Sequence, residues 1–136
     1  MRKMRIKKII TKFENIEEIA KKMGKIKNVK AVYLFGSYAT RKQHALSDID
    51  LCVIGNLTKE EESIVLGYSS DNLDVSIFYM LPIFIRFRVF KEGKPLIIKD
   101  EYFTKMLASK TLGEYLDFKM RIIDKHVMKT LGVKNE

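Results

Sequence analysis

The sequence predicts an α/β domain. Three short runs rich in β-branched and aromatic residues, Val29–Phe35, Ile49–Ile54 and Leu73–Tyr79, are separated by segments of helical spacing, and helical spacing dominates from Glu101 to about Leu131. The 136 residues and 46% apolar content suffice to enclose one core without disulfides or a structural metal, so a single domain over 1–136 is expected. No repeat, low-complexity tract or linker divides the chain.

Ile16, Ile19, Ala20 and Met23 recur at helical spacing, and Gly24 stops the pattern. Val29–Phe35 reads as a buried strand that runs into a tight turn at Gly36-Ser37. Ile49–Ile54 is a second strand, bounded by Ser47 and by Gly55-Asn56. Thr58 followed by Glu61 is the signature of a capping box, which opens a short helix ending near Gly67. Leu73–Tyr79 alternates as a third strand, and Pro82 then opens a helix through Phe90 that Gly93 ends. Pro95–Lys99 fits an edge strand, since proline donates no ladder hydrogen bond. The final helix offers Phe103, Met106, Leu107, Leu112, Leu116, Met120, Ile123 and Val127 as an apolar face, with a break expected at Gly113. This face, the aromatics Tyr102, Phe103, Tyr115 and Phe118, and the helix Ile83–Phe90 are assigned to the core, ahead of the alternative that the helix and the aromatics bind a partner.

The excess of 26 Lys+Arg over 17 Asp+Glu, a formal charge of +9, suits contact with polyanions such as nucleotides. The basic residues are spread along the chain with no stacking stripe, so nucleic acid is not the favoured partner. The single cysteine, Cys52, excludes an internal disulfide and a Cys-based zinc site and fits a reducing, cytoplasmic setting. No apolar stretch approaches the roughly 20 residues that span a bilayer, so no membrane contact is expected. The basic N-terminus meets Thr11, Lys12 and Glu14 before any signal-peptide core forms. His44 and His126 lack neighbours at metal-ligand spacing, and Arg86 and Arg88, two apart on a helix, share no face for a phosphate clamp.

The chemistry concentrates elsewhere. Asp48 and Asp50 open the second strand two residues apart, so their side chains share a face, with Cα atoms roughly 6.5 Å apart. Two carboxylates so placed can grip a hard cation that offsets their repulsion. Alone, Asp-Ile-Asp is a common triplet. Upstream, Gly36 gives backbone amides access to a phosphate, and Ser37 adds a hydroxyl.

Together, Leu34-Phe-Gly-Ser-Tyr-Ala-Thr40 and Leu46-Ser-Asp-Ile-Asp-Leu51 resemble the signature of the DNA polymerase beta-like nucleotidyltransferase superfamily. Within it the chain looks most like the minimal nucleotidyltransferases, the MntA-type antitoxins encoded beside HEPN-domain toxins. The resemblance implies a small mixed β-sheet flanked by helices, with a C-terminal helix. It implies a third carboxylate on a neighbouring strand, a place that Asp74 fits, with Asp71 in the turn-like Ser69–Asn72 as the alternative. Asp48, Asp50 and Asp74 would be both catalytic and metal-binding, holding magnesium as two ions about 4 Å apart. Gly36 and Ser37 would bind the triphosphate of ATP, the nucleotide donor. Many relatives have glycine where this chain has Arg41, so Arg41 and Lys42 read equally as contacts to triphosphate or an RNA-like acceptor, or as an exposed loop pair.

The implied activity is transfer of AMP to a hydroxyl of a HEPN toxin, an AMPylation of the type VII antitoxin kind. A small-molecule or RNA-end acceptor, and a non-catalytic antitoxin that only binds its toxin, are the alternatives. The sequence leaves the oligomeric state open.

Overall fold

The computed structural model describes residues 15–36 and 48–132. Residues 15–24 form helix α1, which tightens at its end into i→i−3 bonds, Lys25 N to Lys22 O at 3.2 Å and Ile26 N to Met23 O at 3.1 Å. Strands β1 (Val29–Phe35) and β2 (Ile49–Gly55) follow, then helix α2 (Lys59–Leu66), strand β3 (Leu73–Ile77), helix α3 (Ile83–Glu92), strand β4 (Lys94–Ile98) and helix α4 (Glu101–Thr130).

The sheet has the order β3-β2-β1-β4, with β1 antiparallel to β2 and β4, and β2 parallel to β3. This is the mixed sheet flanked by helices that the family resemblance implied. The two interior strands, β1 and β2, are the near-continuous apolar runs, as burial on both faces requires. One face packs Val32, Leu34, Leu51 and Val53 against Ile16, Ala20 and Met23 of α1 and Val65 of α2. The opposite face packs Ala31, Tyr33, Cys52 and Ile54 against Val89 of α3, with Phe103 and Leu107 of α4. A register shift between Val29 and Ala31 in β1 lets Val29 join the first face despite its odd spacing from Val32.

Local chemistry sets the boundaries. Thr58 caps α2 with the full box: Glu61 N donates to Thr58 Oγ1 at 3.2 Å, and Thr58 N donates to Glu61 Oε1 at 2.9 Å. Glu61 also accepts from the Asn28 side chain at 2.6 Å, tying α2 to the entrance of β1. These bonds hold its carboxyl down at about 2, the Asn28 side chain contributing most. Pro82 stands at the N-cap of α3, and Asp100 caps α4 by accepting from Phe103 N at 2.9 Å. Gly93 joins α3 to β4 where a Cβ would strike the Val89 carbonyl oxygen. Pro95 lies in edge strand β4, as expected.

Three expectations need correction. The third strand ends at Ile77, because Phe78 turns into the second core and Phe78–Met80 forms a 3-10 turn that leaves Tyr79 and Met80 exposed. The final helix runs unbroken through Gly113, where the i→i−4 pattern continues and a Cβ would meet nothing. The apolar face of that helix is not core beyond its first turns. Phe103 and Leu107 pack inward, whereas Met106, Leu112, Leu116, Met120, Ile123 and Val127 are exposed, as are Tyr102 and Phe118. The reason is length: 30 helical residues reach roughly 45 Å, and a seven-residue strand only about 23 Å. α4 therefore outruns the sheet that would cover it. Phe84 on α3 is exposed too, while Tyr115 stacks on Phe87 with ring centroids 3.8 Å apart.

Candidate active site

The C-terminal end of β1 and the N-terminal ends of β2 and β3 meet at one edge of the sheet. Phe35 is the register partner of Asp50 across the antiparallel pair, and Asp50 is the register partner of Asp74 across the parallel pair. Neighbouring strands lie roughly 4.8 Å apart, so the Asp50 and Asp74 backbones sit side by side. The pairing is anchored where β2 begins: Ile49 N donates to Asn72 O at 3.0 Å. Ile49, Leu51, Leu73 and Val75 point into the first core, so Asp50 and Asp74 point to the opposite face.

Gly36 completes this edge. Its φ of +75° lies in the left-handed region, and a Cβ there would overlap Asp50 Oδ2. The glycine is needed on both counts: it turns the chain out of β1 and lets the backbone close onto the aspartate.

Electrostatics follow from this crowding. Asp48 and Asp74 are exposed, whereas Asp50 is half-buried. Burial, and then the negative charges of Asp74 and Asp48, push the Asp50 carboxyl up from 3.8 to about 6. The carboxylates are thus near enough to feel one another. Among the described residues, no three Asp, Glu, His or Cys side chains converge as a ready-made metal cage. A magnesium ion does not require one, since it binds through one or two carboxylates and completes its octahedron with substrate phosphate and water. The oxygen-only donor set and the unrelieved repulsion at Asp50 both suit such an ion.

Asp71 occupies the turn between Ser70 and Leu73, which bond to each other at 2.8 and 3.2 Å, so it lies outside the register that aligns Asp74 with Asp50. Ser37, Arg41, Lys42 and His44 fall outside the described residues. Arg86 and Arg88 serve separate partners: Arg86 bonds the Leu81 carbonyl at 3.0 Å and Glu114 at 3.1 Å, and Arg88 reaches Glu92 at 3.3 Å. His126 is exposed on α4. Cys52, two residues beyond Asp50 on the same face, is fully buried, and burial pushes its thiol far up, which removes it from nucleophilic chemistry. The feature that sequence reading undervalued is the exposed apolar stripe of α4, whose only signal was a helix longer than the strands could cover.

Residues 7–102 match the family described as Polymerase beta, Nucleotidyltransferase. A candidate protein adenylyltransferase of Methanocaldococcus jannaschii is 34% identical over 70 residues, which are 52% of this chain and 56% of the relative. The match thus spans about half the length of that curated relative. Among solved structures, a toxin-antitoxin complex with AMP-PNP aligns with a TM-score of 0.61 at 25% identity, over 82% of this chain and 98% of that one. The complex of a tri-AMPylated Shewanella oneidensis HEPN toxin with its MNT antitoxin shares the fold, with a TM-score of 0.55 at 22% identity over 85% and 94% of the chains. Among the described residues, no helix is long and apolar enough to cross a membrane.

Proposed function

This chain belongs to the polymerase beta nucleotidyltransferase family, and we propose that it transfers AMP from ATP, with magnesium, to a hydroxyl of a partner protein, a HEPN toxin. The observation that carries the reading is the register of Asp50 with Asp74 across β2 and β3, with Gly36, directly after β1, closing onto Asp50 and Asp48 one residue before β2. The likeness to a toxin-antitoxin complex holding AMP-PNP supports the choice of donor and partner.

Asp48, Asp50 and Asp74 would hold the magnesium. When bound, the ions supply Lewis-acid neutralisation of the triphosphate and of the departing pyrophosphate. The residues themselves do the rest. The Gly36 backbone, bare of a Cβ, and the Ser37 hydroxyl orient the β- and γ-phosphates, leaving the α-phosphorus facing the acceptor. The acceptor oxygen forms its bond to the α-phosphorus as the bond from that phosphorus to the bridging oxygen breaks, so pyrophosphate leaves in line. Asp74, exposed on the edge strand, is nearest the incoming hydroxyl and takes its proton. Asp50, held between Gly36 and Asp74, fixes the spacing of the set.

The test is to incubate the chain with magnesium, α-phosphate-labelled ATP and the protein encoded by the adjacent gene. Label on that protein, lost in Asp48→Asn and Asp50→Asn, is expected. Protection from the toxin by the Asp48→Asn, Asp50→Asn double variant would overturn the enzymatic reading in favour of a purely binding antitoxin. Label on total RNA added to the same mixture, with none on the protein, would reassign the acceptor.

A further inference from the structure

From Leu116 onward every described residue of α4 is exposed. None of the described residues buries this part of the helix, yet it carries an ordered apolar seam. Leu116, Met120, Ile123 and Val127 are 43 to 56% exposed and follow one another at spacings of four, three and four, the a/d rhythm of a coiled coil. Leu112 and Leu131 flank the seam and are likewise exposed. A lone helix of this length is marginal in water, so the seam calls for a covering helix.

We propose that the seam is covered by a second copy of this chain, its α4 running parallel to the first in a two-fold pair. The flanking charges select this occupant and this direction. With Leu116 and Ile123 at d and Met120 and Val127 at a, the g positions hold Lys119 and His126, and the e positions hold Asp117 and Asp124. In a parallel pair a g residue meets the e′ residue five further on, so Lys119 of each chain faces Asp124 of the other, twice by symmetry. An antiparallel pair would bring e against e′ and g against g′. Asp117 would then oppose Asp124, and Lys119 would oppose His126.

The rest of the helix is compatible with this arrangement. At 100° per residue the seam lies roughly 130°, 150° and 110° around the helix from Thr104, Thr111 and Tyr115, which mark the side that packs against the body of the protein. Two copies can therefore meet seam to seam with their sheets on the outside. Upstream, the same rule brings Lys105 at g opposite Lys110 at e of the other chain, a like-charge pair that Glu101, 3.8 Å from Lys105, and Glu114, 4.0 Å from Lys110, partly offset. Gly113 falls at the next a position, where a Cβ would meet nothing within its own chain. Glycine inside a helix costs about 1 kcal/mol relative to alanine, a cost that close approach of a second helix at that point would offset.

The experiment is sedimentation equilibrium of the whole chain, alone, across a dilution series. The intact chain should be a dimer. The double variant Leu116→Glu, Ile123→Glu should raise the dissociation constant by roughly 100-fold or more, with the sheet signal retained because both positions are exposed in the single chain. Lys119→Asp should weaken the dimer by roughly tenfold, and adding Asp124→Lys should restore it. A chain that is monomeric at about 100 µM overturns the proposal and assigns the seam to another protein. So does a dimer indifferent to the Leu116 and Ile123 changes. A dimer that Lys119→Asp leaves unaltered overturns the parallel register. None of these readouts depends on transferase activity, so the proposal stands or falls apart from the functional one.

Discussion

Replacing Asp50 by Asn should stabilise the metal-free fold at neutral pH, because the native carboxylate is held in a setting that disfavours its charge. Burial, then Asp74 and Asp48, raise the group from 3.8 to about 6. The folded chain therefore binds this proton more tightly than the unfolded chain. Stability is untouched by Asp50 below pH 3.8, falls as pH rises through about 6, and carries the full penalty above pH 7. At 1.36 kcal/mol per pH unit the rise corresponds to about 3 kcal/mol. Asp50 is partly open to water, and screening reduces this to roughly 1–2 kcal/mol. For a chain of 136 residues that is about 3–7 °C in melting temperature. Thermal melts in EDTA at pH 7.5 should place Asp50→Asn above the parent by this margin, and the margin should close at pH 4. Magnesium should narrow it at pH 7.5 by raising the parent alone. An advantage that persists unchanged at pH 4, or a variant less stable than the parent at pH 7.5, would refute the account.

Other outcomes follow from the same geometry. Gly36→Ala places a methyl group against Asp50 Oδ2 at a φ of +75°, and should cost about 2 kcal/mol or more in denaturant unfolding while abolishing AMP transfer. Thr58→Ala removes the acceptor for Glu61 N, and should lower stability by about 1 kcal/mol in urea titration, leaving the carboxylate edge intact. Cys52 should resist a thiol reagent in the native state and release one equivalent per chain only when the protein is unfolded, since the thiol is buried and held protonated. Rapid native labelling would mean that the second core opens far more readily than its packing allows.

Much of this fold was legible in local patterns. The strands Val29–Phe35 and Ile49–Gly55 coincide with apolar runs because both lie in the sheet interior, where burial on two faces leaves no alternation to misread. The Thr58 and Glu61 pair announced its helix because a capping box is a local bond set, needing no tertiary partner. Leu73–Tyr79 was overextended because nothing in its alternation reveals that Phe78 must leave the sheet to fill the space under α3. The long helix was misassigned for the opposite reason. Its periodicity is real, but periodicity states that a face is apolar and not what covers it, and only the finite sheet shows that no described residue buries the helix beyond Tyr115. Asp48 and Asp50 could be paired from spacing, whereas the approach of Asp74 depends on a strand order that resemblance implied and local pattern did not contain.

That strand order also makes the charge crowding at the site hard to relieve. β2 and β3 are parallel, with Ile49, Leu51 and Val53 aligned to Leu73, Val75 and Ile77 and all six buried in one core. A one-residue slip that moved Asp74 away from Asp50 would turn the apolar set of β3 to the opposite face, at a cost of several buried side chains. The apolar register is worth more than the repulsion it imposes, so the sheet itself holds the aspartates together. The same inward residues that hold the sheet together thus fix the spacing of the outward carboxylates. Substitutions in the Leu73, Val75, Ile77 row should therefore disturb cation binding even though none of these side chains reaches the site.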